Sequence, residues 1–582
     1  MKFNELKTRD DLAIHLKIPR RSLTYLLYKV KPENSYNDFF ISKKSGGKRK
    51  ISSPTSRLKS VQRKLNESML NFMEESDFPK SKIAYGYSKE KSIVFNSKNH
   101  VKKKFVINID IKDFFESINF GRVRGFFINN KYFKMNTEVS TIIAQLTCYN
   151  NSLPQGAPTS PLISNLIGQI LDYKISKICN KYKLVYTRYV DDLTFSTNDD
   201  KIIKNYSSFI DEIDQILNKS GFQRNINKTR IQYRNSRQVV TGLVVNRKIS
   251  IPREYYKDTR SMLHSLISNG EFYIDKDQKI VGNLNQLEGR FTFIDHIEKY
   301  NNNKNKAKSL NNKSPDRLCT KEKQFQKFLF YKQFFVNERP LIITEGKTDI
   351  LYLKAALKNL HKQYPELITK NKDGKFQFKI QFFERTRRNK YFYNIDSDGA
   401  DTLKQIYDFF SKKNRKKGKN IALMEELKSL SNRVPLNPVI LLFDNETVKS
   451  KKSSKPLLNF INYITTFLGD QKQDQMVKTQ LLSHISQHLH VNIKDNLFVA
   501  TNPLKHGQDE SEIEDLFEIN DLTHVINGVE FNYSKNKASS NTLDKNQLSK
   551  IVSQKYQDIS FANFIPLFDS VNSLIMEYKN KI

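Results

Sequence analysis

The stretch Leu184–Thr197, LVYTRYVDDLTFST, constrains this chain more than any other. Alternating and β-branched residues flank the acidic pair Asp191-Asp192, a pattern that predicts two short strands joined by a tight turn. Adjacent carboxylates at a hairpin tip repel each other, and each is costly to bury unpaired. A divalent cation relieves both penalties. Taken alone the pair also reads as a solvated acidic turn, so its meaning depends on what the rest of the chain brings to it.

Composition narrows the partners. The 582 residues carry a net charge of +37, with Lys and Arg spread throughout. Such a field holds polyanions, so nucleic acid is the expected partner. No apolar run approaches the roughly 20 residues that span a bilayer, and the charged start MKFNELKTRDDL is not a signal peptide. No lipidation signal or basic amphipathic anchor is evident, so no membrane partner is expected. Cys148, Cys179 and Cys319 are scattered without CxxC spacing, which points to neither a disulfide framework nor a zinc site and fits a reducing, cytoplasmic compartment.

Residues 8–29, TRDDLAIHLKIPRRSLTYLLYK, have helical periodicity interrupted at Pro19, with Thr8 placed to cap. A packed helix pair and a small helix-turn-helix both fit. Phe39–Pro54 reads as strand, Gly-Gly turn, strand, with cations at its tip; Arg49 there could hold a triphosphate through its planar fork. Arg57–Leu65 is a basic amphipathic helix suited to a template backbone. FVINID (Phe105–Asp110) is a buried-strand pattern ending on a carboxylate, and Phe115 could lie under the sugar of an incoming nucleotide. LPQGAPTSPLISNL (Leu153–Leu166) makes a rigid loop in which Gln155 and Gly156 allow close approach to a base pair. SGFQRNINKTRIQY places Lys228 in a short turn, and QVVTGLVVN (Gln238–Asn246) is a strand pair pivoting on Gly242.

Phe105-x-x-x-x-Asp110, the Pro154-Gln155-Gly156 loop, Tyr189-Val190-Asp191-Asp192 and the Asn-x-x-Lys228 turn resemble, in order and approximate spacing, a reverse transcriptase palm across roughly residues 40–250. Within that class the chain resembles the retron reverse transcriptases, through Val240-Thr241-Gly242 and through Asn96-Ser97-Lys98-Asn99-His100, where serine replaces the usual alanine. The resemblance implies that Asp110, Asp191 and Asp192 hold two Mg²⁺ ions, one activating the primer hydroxyl and one neutralising the leaving pyrophosphate. It implies a charge or proton role for Lys228, and RNA recognition by Asn96, His100, Val240, Thr241 and Gly242. It also implies a cognate non-coding RNA, dNTPs and a branched 2′-5′ RNA–DNA product as partners. The alternative within enzymes is a mobile-element reverse transcriptase such as an intron maturase, against which the Val-Thr-Gly triplet and the lack of an endonuclease metal cluster argue.

The second half opens on NERPLIITEGKTDILYLKAAL (Asn337–Leu357), a buried strand running into Glu345-Gly346 and a helix containing Asp349. About a hundred residues on, NPVILLFDNET (Asn437–Thr447) is a second buried strand ending in Asp444-Asn445-Glu446. Acids at the carboxyl edge of a parallel sheet lie where α/β folds place ligands; the bland reading is that they cap helices. Together the two motifs resemble a TOPRIM domain of the overcoming-lysogenisation-defect nucleases, with Glu446 in place of the second Asp. The resemblance implies a general base or metal ligand in Glu345, and Mg²⁺ or Mn²⁺ binding by Glu345, Asp444 and Glu446. It leaves Glu514 or Asp515 to complete that site, and Gly346, Asp349 and Lys545 as supports. The target is nucleic acid, DNA or RNA including tRNA. A half that only binds nucleic acid or a partner is the non-enzymatic alternative.

The expected architecture is an α+β right-hand polymerase followed by an α/β TOPRIM domain with a mostly parallel sheet. Its segments are an N-terminal helical segment (1–35), fingers and palm (36–250), thumb (251–300), linker and bridging helix (301–336) and a TOPRIM nuclease-like domain (337–582). A homo-oligomer is left open, and the implied setting is a bacterial antiphage system.

Overall fold

The computed structural model describes residues 2–42, 46–275, 277–306, 318–395, 400–411, 422–445, 455–465, 471–505, 508–518, 530–531 and 542–582. Glu446, positions 412–419 of the basic run that follows Ser411, and positions 307–317 of the Asn-rich linker lie outside them. The chain divides into two compact units, Met1–Tyr256 with Ile297–Ala307, and Lys257–His296 with Lys308–Ile582.

In the first unit, Thr8 caps its helix as its position predicts. Its hydroxyl accepts from the Asp11 N–H at 3.2 Å, and the Asp11 carboxylate accepts from the Thr8 N–H at 2.9 Å. Leu12, Leu23, Leu26 and Leu27 then bury into the unit's core, so this helical pair packs through its apolar face. β1 (Tyr36–Ser42) and β2 (Lys48–Pro54) form an antiparallel hairpin. Among the described residues the central sheet has four strands in the order β4-β5-β3-β6. These are β3 (Phe105–Lys112), β4 (Val185–Tyr189), β5 (Asp192–Thr197) and β6 (Gln223–Tyr233).

β3 is apolar without alternation because both of its faces are covered. Ile107, Ile109, Leu193 and Phe195 are fully buried, each contributing about 1.5–3 kcal/mol of transfer free energy. Asp110 lies at the polar end of this strand. β6 departs from the predicted short turn around Lys228. Asn108 pairs with Arg230, but Asp110 pairs with Asn225, so residues 226–229 loop out opposite Ile109. A bulge of this kind re-aims a side chain while the flanking register is kept. β7 (Val239–Val240) and β8 (Leu243–Val244) pair across the Thr241-Gly242 turn.

In the second unit, β9 (Tyr273–Asp275) and β10 (Ile280–Val281) pair between residues 257–269 of the helix Arg253–Asn269 and residues 284–296 of the helix Leu284–Lys306. The second of these helices runs into the Asn-rich segment expected to be linker, since each added residue gains one hydrogen bond once a helix is nucleated. Phe291 stacks on Phe325 and on Phe328 at 5.4 Å each, and Glu288 takes ion pairs from Lys332 and Arg388 at 2.7 Å. Residues 257–296 and the aromatic helix Thr320–Phe330 therefore share one core.

That unit also contains parallel strands: β11 (Leu341–Thr344) and β15 (Val439–Phe443), on the two buried apolar runs read from the sequence, and β14 (Gln381–Phe382) and β17 (Leu497–Thr501), which that reading did not include. β12 (Ile368–Lys370) and β13 (Phe376–Phe378) form a side hairpin, and β16 (His490–Lys494) is an antiparallel edge. Among the described residues the sheet order is β14-β11-β15-β17-β16. The helices Asp349–Asn359, Lys545–Gln554 and Ile565–Lys581 contribute Tyr352, Leu548, Val552, Phe568 and Leu574 to the core on it. Among the described residues no helix is long and apolar enough to cross a membrane.

Candidate functional site

The β4–β5 hairpin and β3 bring three carboxylates together. Tyr189 pairs with Asp192 across the hairpin, Asp192 pairs with Asp110 on β3, and the Ile111 N–H donates to the Asp191 carbonyl at 3.0 Å. From the bulge, the Lys228 ammonium lies 3.0 and 3.2 Å from the two Asp110 oxygens, and Asn225 donates to the same carboxylate at 3.1 Å. Desolvation, then the Asp110 charge, raises the Asp191 carboxyl above its usual range. The Asp192 tip remains exposed, but desolvation of its surroundings together with the Asp191 and Asp110 charges pushes its carboxyl up to about 7. The bond to Asp110 holds the Lys228 ammonium above its usual value. Electrostatically this is a place short of positive charge.

The turn itself is strained. Val190 has φ +62°, a left-handed conformation that a β-branched residue adopts at a cost of about 1–3 kcal/mol. Beneath it Arg188, fully buried, reaches Asp172 on the helix Ser160–Lys181 in a two-pronged pair, Nε–Oδ1 2.8 Å and Nη2–Oδ2 2.9 Å. Its Nη1 donates to the Val190 carbonyl and to Asn165 Oδ1, both at 3.2 Å, while the Tyr186 hydroxyl donates to Asp172 at 2.9 Å. A Cβ on Gly168 would stand 2.7 Å from the guanidinium carbon, so glycine is what leaves it room. Arg188, Asp172, Asn165 and Gly168 were not read from the sequence. The only signal available there was a cation directly before the acidic turn.

A cleft of about 340 Å³ is lined by Asp110, Asp192, Lys228, Arg230, Thr241 and Gly242, among others. Thr241 and Gly242 thus face the carboxylates. Asn96, His100 and Val240 do not. All three are fully buried, and His100 is clamped between Ser196 and Thr187 at 2.7 Å each, its pKa pushed by burial down to about 3. The two segments meet each other instead: Ser97 donates to the Val240 carbonyl at 2.9 Å and lies 3.2 Å from the Thr241 hydroxyl. Phe115 is half-buried, edge-on to Phe114. Gln155 donates to Glu116 at 3.1 Å, and its carbonyl accepts from the Ser52 N–H at 2.8 Å, seating the loop that holds Gly156 on β2. The positive charge of Arg49, on β2, acts on Asp191.

A second acidic group lies at the carboxyl edge of the parallel sheet. The Asp444 N–H donates to Glu345 at 3.2 Å, and Asn502, just past β17, donates to the Asp444 carboxylate at 3.0 Å. Asp349 accepts from the Gly346 N–H at 2.7 Å. Lys545 lies 3.0 Å from Glu512 and 3.1 Å from the buried Glu514. Of the two alternatives here, Glu514 faces the cluster, whereas Asp515 caps its own turn by accepting from the Glu512 N–H at 2.8 Å. Desolvation and then the charges of Glu345, Asp349, Glu512 and Glu514 raise the Asp444 carboxyl well above its usual range. Burial opposes the Lys545 charge, but Glu514 and Glu512 overcome it and raise its pKa. Glu512 and Asn502 were missed, the first as one acid among several and the second because an amide carries no acidic signal.

Both clusters offer hard oxygen donors crowded close enough to repel one another, the chemistry that Mg²⁺ satisfies. Among the described residues no three His, Cys, Asp or Glu side chains already converge as a ligand set. In both clusters a lysine ammonium lies on the carboxylates.

An antiparallel sheet carrying Asp110 against Asp191-Asp192, with a lysine returning over the first, defines a polymerase palm. The reverse transcriptase (RNA-dependent DNA polymerase) family matches residues 41–245. The chain is 32% identical over 309 residues to the retron Ec86 reverse transcriptase of Escherichia coli, covering 51% of this chain and 92% of that one. It is 34% identical over 274 residues to the Escherichia coli retron Ec73 reverse transcriptase (44% and 82%), and 32% over 278 residues to the retron Mx65 reverse transcriptase of Myxococcus xanthus (44% and 62%). A solved telomerase from Candida Tropicalis aligns at TM-score 0.29 and 14% identity over 37% of this chain and 55% of its own, a likeness too slight to argue from. The chain belongs to the retron reverse transcriptases.

Proposed function

We propose that the first half copies a cognate non-coding RNA into branched DNA, starting from a 2′-hydroxyl of that RNA, and that the second half is a TOPRIM nuclease effector in antiphage defence. The observation that carries the polymerase reading is the pairing of Asp110 with Asp192 beneath the Val190 turn, inside the matched residues 41–245. Asp110, Asp191 and Asp192 would hold Mg²⁺, which supplies charge neutralisation at the attacking and leaving oxygens. The chain's own groups do the rest. Arg188 fixes the turn that aims the two aspartates, and Lys228 offers a proton or positive charge on the pyrophosphate side. Arg49 meets the triphosphate, and the loop carrying Gln155 and Gly156 lies along the nascent base pair. dNTPs and the RNA are the substrates.

For the second half, the reading is supported by Glu345, Asp444 and Glu514 meeting at the carboxyl edge of a parallel sheet, with Lys545 against Glu514. Glu345 would act as general base or ligand for Mg²⁺ or Mn²⁺ in phosphodiester cleavage of DNA or RNA. Asp191→Asn is the test of the polymerase: DNA synthesis on the cognate RNA is lost while RNA binding persists, and undiminished synthesis sinks the assignment. Glu345→Ala tests the effector. Loss of cleavage or toxicity with intact DNA synthesis supports a nuclease, and unchanged toxicity supports a binding scaffold.

A further inference from the structure

The N-terminal helical pair carries a face that the polymerase reading does not use. After the helix Arg20–Thr24 the backbone widens into a π-helical turn, Tyr25–Val30. Such widened turns cost helix geometry and recur at functional positions. Leu23, Leu26 and Leu27 anchor this segment in the core, whereas Tyr25 and Tyr28 point outward, 47% and 57% exposed. Each ring has a guanidinium over it, Arg57 at 5.3 Å from the Tyr25 centroid and Arg9 at 5.8 Å from that of Tyr28. The two tyrosines lie in an open cleft of about 650 Å³. Its charged lining is Arg9, Arg20, Arg21 and Lys29 against Asp10 alone, four positive charges to one negative. Asp10 is shared, 3.7 Å from Arg9 and 3.6 Å from Arg20, which leaves the cations in excess.

We infer that this cleft binds an unpaired stretch of RNA, with bases stacked on Tyr25 and Tyr28 and phosphates held by Arg20 and Arg21. Two exposed rings three residues apart, each beside a planar cation, suit base faces, which stack on aromatic and guanidinium planes alike. The excess of cations matches a polyanion. The inference rests on the reading of the chain as an RNA-copying enzyme, and it adds a place on the chain that grips RNA.

The test uses the full chain, a fluorescent unstructured RNA oligonucleotide and anisotropy over a salt series, with primer extension on a short RNA–DNA hybrid and melting curves alongside. Tyr25→Ala/Tyr28→Ala should weaken RNA binding about tenfold or more with little change in salt dependence. Tyr25→Phe/Tyr28→Phe, which keeps the rings, should bind within about twofold of wild type. Arg20→Ala/Arg21→Ala should lower the slope of log affinity against log salt by about 1.4, or about 0.7 for each lost phosphate contact. Extension of the short hybrid should be unchanged in all three. Wild-type affinity in the alanine pair overturns the inference, as does loss of affinity in the phenylalanine pair at unchanged melting temperature. So does an alanine pair that loses binding only to anionic vesicles. Wild-type protein that binds RNA but extends no primer would instead sink the polymerase reading.

Discussion

Asp172→Asn probes the support beneath the acidic turn most directly. Arg188 and Asp172 are 0% and 3% exposed in their side chains, so neither charge has water to fall back on. Asparagine keeps one oxygen, which either stays with Arg188 Nε and Tyr186 and sets an N–H₂ against Nη2, or turns to Nη2 and sets the N–H₂ against the Nε–H donor. The guanidinium is then buried without a counter-charge, which costs about 3–5 kcal/mol. In a unit of this size that corresponds to a fall in melting temperature of roughly 6–20 °C, at about 2–4 °C per kcal/mol. The effect on chemistry should be separable. Arg188 Nη1 holds the Val190 carbonyl at 3.2 Å, so a loosened guanidinium lets the strained turn relax and moves Asp191 and Asp192. A displacement near 1 Å lowers turnover about a hundredfold. Thermal melts and primer extension should be read on Asp172→Asn and on the apolar pair Arg188→Met/Asp172→Leu. The apolar pair should recover most of the stability, because no charge is left buried, yet not the turnover. A single variant melting within about 2 °C of wild type, or an apolar pair that recovers turnover as well, refutes the positioning argument.

Four further outcomes follow from the same geometry. Because the folded Asp192 carboxyl titrates near 7 against 3.8 unfolded, the metal-free protein binds the extra proton when folded, so its stability is greatest below about pH 4 on this account and declines as pH rises to about 7. Added Mg²⁺ should therefore raise the melting temperature more at about pH 8 than at about pH 6, and an equal rise at both contradicts this. A Cβ at Gly86 would lie 2.5 Å from Val190 Cγ2 and 2.9 Å from its backbone nitrogen, so Gly86→Ala should lower kcat about tenfold or more with a smaller change in KM, checked by steady-state extension. Lys545→Met leaves Glu514 beside Asp349 and Asp444 without its ammonium; the melting deficit should shrink as pH falls and these carboxyls protonate, whereas a pH-independent deficit would mean lost packing. Burial pushes the Cys148 and Cys179 thiols up to about 12, so iodoacetamide on native protein should label Cys319 and spare those two, as mass spectrometry of tryptic peptides would report.

What the sequence made legible follows from how local each signal is. Asp110 and Asp191-Asp192 lie at the ends of strands whose apolar patterns announce them, and pairing across a sheet does the rest. Glu345 and Asp444 are legible for the same reason on parallel strands. Lys228 was expected in a turn because its neighbours are polar; it sits in a bulge whose existence depends on how β6 registers with β3. Asn96 and His100 look like recognition residues as short polar motifs, yet tertiary packing encloses them, and the contact they support is Ser97 to Val240 and Thr241. The Arg188–Asp172 pair joins a strand to a helix sixteen residues upstream, and no periodicity marks which of many acids a buried arginine will meet.

The helices over 257–296 share their aromatic core with Thr320–Phe330, and this bears on how chains of this kind can be recombined. The Asn-rich segment looks like the natural seam for exchanging one second half for another. A crossover there would separate Phe291 from Phe325 and Phe328, and Glu288 from Lys332 and Arg388. A new second half joined at that seam would have to rebuild the matching surface from nothing. A workable exchange must carry residues 257–296 with the incoming second half although Ile297–Ala307 belong to the first unit, so no single cut in the chain parts the two.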